Sequence, residues 1–568
     1  MYVQQPGGEQ RRLWQFQGGL HLPDHKAEST GLPIAKATLP PRLLLPLRQH
    51  MGAAARPLVD AGDLVLKGQR IAEPQGALSA GLHAPTSGRV LGVQDVPAPH
   101  PSGLASTCLV IEPDGRDAWA ELPEPWPDYA TRSPEELRER IRWAGVVGLG
   151  GALFPTSLKL APGTERPIHT LVVNGAECEP YISCDDLLMR EQPERIIAGI
   201  RILLHILGAG RCLVAIEDNK PQAIEALYRH SQALAVPGLE IVRIPTLYPS
   251  GGERQLIKVL TGQEVPSGGY PADLGILCQN VATVAAVADA VLEGRPLISR
   301  ILTLTGAGVA QPRNLEVLMG TPVAHLIEQA GGYTPRAARL LLGGPMMGVA
   351  LASDQVPVTK AANCLLVAST GEAPEPGPPL PCIRCGACAR ACPANLLPQQ
   401  LYWYARAKDM KKVREYHLFD CIECGCCSTV CPSQIPLVQY YRFAKTEIRA
   451  QDRERDAAQQ AKRRHAAREA RLERQEAERE VRLRKTREDL EQRALAADPQ
   501  ADPKKAAIEA ARQRVEAKKR AMAEAGARPA NLDHLTPEQQ RQKDAADRRR
   551  QAAGIHAPAV EREHREQP

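Results

Sequence analysis

No stretch of this 568-residue sequence stays apolar for long enough to cross a bilayer. The nearest, IIAGIRILLHILGAG at 196–210, is interrupted by Arg201 and His205. The opening MYVQQPGGEQRR lacks the apolar core of a secretory signal, so the chain is expected in the cytoplasm. Neither sign of charge dominates. Residues 1–444 carry 40 Lys and Arg against 41 Asp and Glu, and the remainder 31 against 24. A neutral body excludes a nucleic-acid surface spread over it. Aromatic residues make up only 4% of the sequence, and from residue 446 onward there are none. That Ala-, Arg-, Glu- and Gln-rich segment, 446–568, cannot build a packed core and is expected as solvated helix or disorder.

What is present in excess is cysteine, placed unevenly. Nine of fifteen lie in CIRCGACARACP (382–393) and CIECGCCSTVCP (421–432). In a cytoplasmic chain such clustering points to metal rather than disulfides. Both segments read C-x2-C-x2-C-x3-C-P, the spacing of a two-cluster ferredoxin. Three close thiolates wrap one cubane, a glycine (Gly386 or Gly425) lets the backbone curl, and the fourth thiolate reaches the other cluster. This assigns Cys382, Cys385, Cys388 and Cys431 to one [4Fe–4S] cluster, and Cys421, Cys424, Cys427 and Cys392 to the other. Structural zinc pairs C-x2-C knuckles without the third cysteine or the trailing proline, and is the weaker reading. Cys426 is surplus. Cys108, Cys178, Cys184, Cys212, Cys278 and Cys364 are scattered and read as buried small hydrophobes.

The length requires several domains. Residues 1–38 are polar and irregular, an N-terminal extension. Residues 39–120 alternate short β-branched runs with Gly, Pro and Asp and read as a small β domain. In 130–300, strands such as HTLVVNGAE and RCLVAIED alternate with helical patterns, one opened by Ser133 with Glu136 three residues on, arguing for an α/β sheet. Residues 301–371 mix strand, helix and turn signals, a small α+β domain. A Pro-rich linker then leads to the cysteine domain, 376–445.

Three loops of the α/β region invite a ligand. AGVVGLGGALFPTSLKL (144–160) allows close backbone approach to a phosphate, with Lys159 as countercharge, although taken alone such a Gly-rich loop is more often just a turn. NGAECEPY (174–181) follows a buried strand, where open α/β sheets bind ligands. YPSGGERQL (248–256) is a glycine turn entering a helix.

In combination, GLGGALFPT, NGAECEP, YPSGGERQL and QNVAT resemble the flavin- and NADH-binding subunit of respiratory complex I. With FQGGLHLPDHK, HAPTSGRV, GGPMMG and the cysteine pair, the chain resembles still more the C subunits of Rnf (Rsx) electron-transport complexes, from about Phe16 to Lys445. That resemblance implies a multidomain α/β and α+β architecture: a lipoyl-like hammerhead β domain, a Rossmann-like FMN/NADH domain, a soluble-ligand-binding β-grasp domain and a helical dicluster ferredoxin domain. It implies that Gly148, Gly150, Gly151 and Lys159 cradle the phosphate of non-covalent FMN. Asn174 would face the flavin, with Asn280 and Thr283 completing its pocket. Glu179, and with it Glu177, would lie toward the nicotinamide, Phe154 would stack on NADH, and Glu253 would sit by the ribose. Two departures stand out: Leu153 replaces a glycine and would crowd the flavin edge, and Ala176 replaces an acid. Lys67 in VLKGQ lacks the flanks of a lipoyl lysine and is expected to be structural. For Met346 and Met347 core packing is expected ahead of the alternative, a contact with a neighbour.

The implied role is a peripheral electron-input subunit on the cytoplasmic side of the inner membrane. NADH would feed FMN and then two [4Fe–4S] clusters, and integral and peripheral partner subunits would couple the flow to ion movement, with ferredoxin or another protein as redox partner. A cluster-only relay or adaptor without its own NADH site is the alternative.

Overall fold

In the computed structural model, residues 1–100, 102–161, 166–375, 377–497, 502–524 and 537–552 are described. The rest of the expected tail, and Pro376 at the edge of the cysteine domain, lie outside them. The chain forms two compact units, Met1–Gln451 and Asp452–Pro568.

Seven short strands between Leu43 and Pro113 build the first module. Leu43–Pro46, Ala105–Pro113, Gly88–Pro97 and Leu64–Val65 form one antiparallel sheet, and Arg56–Pro57, Arg70–Glu73 and Leu82–His83 another. Leu43, Leu45, Ile71, Val90, Leu109 and Ile111 fill its interior. Lys67 does not stand free at a hairpin tip: its ammonium lies 2.6 Å from Asp117 and over the Trp119 ring.

The second module is a parallel sheet in the order Leu239–Ile244, Arg211–Glu217, Thr170–Gly175, Ile276–Asn280. Its central strands carry unbroken apolar runs, at 171–173 and 212–216, because helices cover both faces. The helix Pro134–Trp143 starts where Ser133 and Glu136 cap one another reciprocally. The helix Pro193–Leu207 begins on a proline and ends at Gly208, whose φ of 61° a side chain would disfavour.

The third module is a six-stranded mixed sheet with the helix Val323–Gln329. One of its edge strands is Ala35–Lys36, parallel to Arg313–Leu318, so the N-terminal segment is not a loose extension. That segment also buries Leu13 in the α/β module and Lys26 and Ser29 at the junction with the third. Sequence pattern misses this, because isolated anchors in a polar stretch have no period.

The fourth module packs short helices (Ala387–Ala391, Pro398–Arg406, Met410–Glu415, Cys426–Thr429) around Leu401, Val413, Leu418, Tyr441 and Ile448. Tyr441 and Ile448 belong to the long helix Leu437–Ala497. In the second unit the described residues are helical and their side chains almost all exposed, as expected of a segment without aromatic residues. No helix among the described residues is long and apolar enough to cross a membrane.

Candidate functional site

The carboxyl ends of Thr170–Gly175 and Ile276–Asn280, the adjacent strands where the sheet order reverses, carry Asn174 and Asn280. The glycine loop folds onto this edge. Val147 bridges Pro155, Gly148 N–H donates to the Phe154 carbonyl (2.9 Å), and Leu153 N–H to that of Gly148 (3.1 Å). Thr283, fully buried, accepts from Leu149 N–H at 2.9 Å and pins the loop. A Cβ on Gly150 would lie 3.2 Å from that of Asn280, whereas at Gly151 it would meet nothing within 4 Å. The loop is therefore close-packed on the sheet side and open at its tip. An anion approaching backbone N–H groups needs this geometry, so the residues present fit a flavin phosphate. Phe154 is half-buried and closes the turn through its carbonyl. Leu153 sits at φ 54°, where the related pattern has glycine. Its side chain packs against the main core, which offsets a left-handed cost of about 1–2 kcal/mol.

Asn280 caps the helix Val281–Leu292 through its side-chain oxygen, while its Nδ2 donates to Asp185 at 2.6 Å. The Asn174 amide donates to the Gly251 carbonyl at 2.8 Å, tying the NGAECEP loop to the YPSGGERQL loop. Lys159, at the end of the glycine loop, pairs with Glu253 of YPSGGERQL at 2.8 Å, both about one-third exposed.

The two acids expected beside a nicotinamide are held inward. Glu177, at φ 48°, accepts from Asp185 N–H (2.7 Å) and Asp186 N–H (3.3 Å), at the start of the helix Cys184–Glu191. Its carboxyl is pushed up to about 8, chiefly by burial and also by Asp185, with Lys26 and Lys220 opposing. Glu179 accepts from the Met346 and Met347 N–H groups at 2.7 and 2.9 Å. Burial raises its pKa against these donors and Tyr248. The GGPMMG turn is thus a contact between modules, not core packing. Gly344 faces Glu179, and Met346 meets Gly425 and Thr429 of the fourth module.

Two residues the sequence did not mark organise this region. Lys26 is buried and donates to the carbonyls of Glu177 (2.8 Å), Glu179 (3.2 Å) and Ile182. Tyr248, 3% exposed, donates its phenol O–H to the Cys424 carbonyl at 2.6 Å. Only its place beside the glycine turn hinted at this.

The cysteines gather in two places. Cys382, Cys385, Cys388 and Cys431 line one cavity of about 580 Å³, and Cys392, Cys421, Cys424 and Cys427 line another. Four thiols facing one space from two chain segments fit an iron–sulfur cluster in each. Cys426 lines neither cavity and packs with Tyr248, Ala391 and the neighbouring Cys424.

Comparison with known proteins matches four family models. They are the Nuo51 FMN-binding domain (residues 141–289), the RnfC barrel sandwich hybrid domain (14–116), the SLBB domain (301–350) and the 4Fe-4S dicluster domain (381–435). Relatives named as the C subunit of an ion-translocating oxidoreductase complex are similar over most of this chain. That of Pseudomonas aeruginosa is 55% identical over 464 residues, 82% of this chain and 59% of its own length. That of Klebsiella pneumoniae is 45% identical over 557 residues, 97% and 72%, and that of Vibrio cholerae 49% over 479 residues, 84% and 61%. The chain therefore spans about six tenths of the Pseudomonas and Vibrio relatives. Among solved structures, an H2-reduced NAD+-reducing [NiFe]-hydrogenase overlaps 55% of this chain and 62% of its own at 21% identity, with a TM-score of 0.41, too slight a likeness to bear on function. This is a multidomain α/β protein with an FMN-binding domain, a barrel-sandwich hybrid domain, an SLBB domain and a 4Fe–4S dicluster domain.

Proposed function

This chain belongs to the family of C subunits of ion-translocating oxidoreductase complexes, and on that footing we propose that it is the peripheral electron-input subunit of such a complex. Its substrate is NADH, and its cofactors are FMN and two [4Fe–4S] clusters. Its partners are the membrane-bound and peripheral subunits, with ferredoxin or another redox protein beyond them, at the cytoplasmic face of the inner membrane. The observation that carries the reading is the direct contact between the ligand-binding edge of the α/β sheet and a cysteine loop, through Tyr248 and Cys424.

FMN, when bound, accepts two electrons together and releases them singly to iron–sulfur clusters. The chain supplies position and electrostatics. The Gly148–Gly151 loop offers backbone N–H groups to the flavin phosphate, and Lys159 offers charge while Glu253 keeps it oriented. Asn174 holds the Gly251 turn in register with the strand end. Thr283 and Asn280 fix the loop from below. Lys26, by gathering three carbonyls of the NGAECEP loop and the turn after it, keeps Glu177 and Glu179 from swinging into solvent. Phe154 and Glu179 are the residues assigned to the nicotinamide side. The sheet order supports a Rossmann-like assignment for this module, and the mixed sheet with one helix a β-grasp assignment for the third. The cluster assignment across the two motifs follows the two cavities.

A cluster-only relay is the second reading. It is favoured by one observation: both acids already spend their carboxylates on protein N–H groups. Spectra of the anaerobic protein, loaded with iron–sulfur and FMN, separate the two. Bleaching of flavin and cluster bands by NADH supports electron input. Clusters that respond to dithionite but ignore NADH make it a relay.

A further inference from the structure

The α/β module and its N-terminal strap touch the cysteine module repeatedly, and the contacts to ligand loops fall on one side. Tyr248 donates to the Cys424 carbonyl, and its backbone pairs in both directions with Leu20. Gly18 lies against Ala391 and Cys392, and Gly19 N–H donates to Ala391 at 3.1 Å. Gln255 donates to the Pro393 carbonyl at 3.4 Å, and Arg254 pairs with Asp420, next to Cys421. Met346, held to Glu179 through its N–H, closes over Gly425. Each of these neighbours belongs to the loops of Cys392, Cys421 and Cys424, three of the four thiols of the second cavity. The corresponding loop of the first cavity is served from its own module: the Cys385 carbonyl accepts from exposed Arg390.

We infer that the α/β module hands electrons to the cluster held by Cys421, Cys424, Cys427 and Cys392, and that Tyr248 is the positioning residue of that transfer. This rests on the electron-input reading. One electron leaves the reduced flavin and one arrives at the cluster, and no bond is made or broken at Tyr248. Its O–H fixes the Cys424 loop against the sheet edge and turns the positive end of its dipole toward that loop. Donors aimed at a cluster's ligand loop favour its reduced form. The cluster of Cys382, Cys385, Cys388 and Cys431 then stands second in line.

The test uses the full chain loaded with FMN and clusters. Tyr248→Phe keeps the ring that fills the junction and removes only the hydroxyl. In a dithionite redox titration followed by EPR, one cluster signal should become harder to reduce and the other stay fixed. A tenfold change in its reduced-to-oxidised ratio would be read as a shift of about 59 mV. The shifted signal should be the one missing in Cys424→Ser. No shift, or a shift of the signal missing in Cys385→Ser, overturns the assignment of Tyr248. A measurement without the Tyr248 variant covers its failure to load. NADH should reduce the remaining cluster of Cys385→Ser at least tenfold faster than that of Cys424→Ser, although dithionite reduces both. The reverse pattern overturns the order. If NADH fails to bleach the flavin of the wild type, it is the electron-input reading that falls, and the dithionite titration still decides the role of Tyr248.

Discussion

The two cysteine loops share one spacing and one backbone. Gly386 and Gly425 have φ of 74° and 83°, Arg384 and Glu423 of 56° and 58°, and Asn395 and Gln434 of 55° and 50°. Their surroundings differ. Cys385 is exposed and Ile383 beside it is 68% exposed, whereas Cys424 is 7% exposed beneath Tyr248 and Met346. At the position after the shared isoleucine, Arg384 is exposed. Glu423 in the second loop is paired with Arg442 at 2.9 Å and Lys445 at 2.8 Å, which together with their hydrogen bonds hold its pKa down against burial. Local sequence thus builds the ligand loop twice in the same form. Neighbouring modules decide its solvent access and hydrogen bonding, two of the quantities that tune a cluster's potential.

The largest effect should come from exchanging the crossed ligands. Cys431→Ala is expected to abolish the EPR signal of the first-motif cluster and leave the other, although Cys431 lies in the second motif; Cys392→Ala should do the opposite. If each substitution removes the signal of its own motif, the two cavities do not define the ligand sets.

A different junction supplies the control. Lys360 is fully buried where three modules meet, donating to the Gly145 and Gly81 carbonyls at 2.7 and 3.1 Å, and burial lowers its pKa from 10.5 to about 7. Below about pH 7 both folded and unfolded chains hold this proton, and the contribution is flat. Between about 7 and 10.5 only the unfolded chain holds it, so stability should rise with pH, by at most about 1.4 kcal/mol per unit. Melting curves of Lys360→Met across this range should lack that slope. Both cluster signals should behave alike, because this contact favours neither loop.

Next in size is the glycine pair. Gly386→Ala and Gly425→Ala each incur a left-handed cost of about 1–2 kcal/mol. The added methyl at 386 meets only the mobile end of Arg390 at 3.3 Å, whereas at 425 it meets the Met346 carbonyl at 2.8 Å. Gly425→Ala should therefore cost about 1–3 kcal/mol more in denaturant unfolding. Equal losses would mean that the third module does not press on the second loop. The smallest effect is expected from Arg384→Glu. Its exposed charge is screened by solvent, so the first cluster's potential should fall slightly and the second's remain fixed in the same EPR titration.

Much of this arrangement was legible in the residues. Strand–helix alternation gave the parallel sheet, because fully covered strands read as continuous apolar runs. The Ser133–Glu136 pair announced its helix. The three ligand loops read from sequence do meet at one sheet edge. What the residues could not give was the direction of side chains. The turn at Glu177 aims that acid at a helix start, and Glu179 meets a turn from residues 343–348. Leu153, expected at the flavin edge, also packs against the main core. The strap of residues 1–38 looked irregular because its anchors, Leu13, Lys26 and Ser29, follow no period.

By itself, then, the sequence determined the chemistry available: eight thiols at ferredoxin spacing, glycine loops at strand ends, and a tail too polar to pack. These are local properties, set by spacing and backbone freedom within a dozen residues. Which cysteine loop faces the sheet was decided only by tertiary structure, because it depends on Tyr248, Met346 and Gly18, which lie between about 80 and 370 positions from the loops they touch. Contacts over such separations leave no periodic trace in a chain. They arise when separate modules bury their remaining polar groups against one another, where an unpaired Cys424 carbonyl would cost about 1–3 kcal/mol and an unpaired Glu179 carboxylate more.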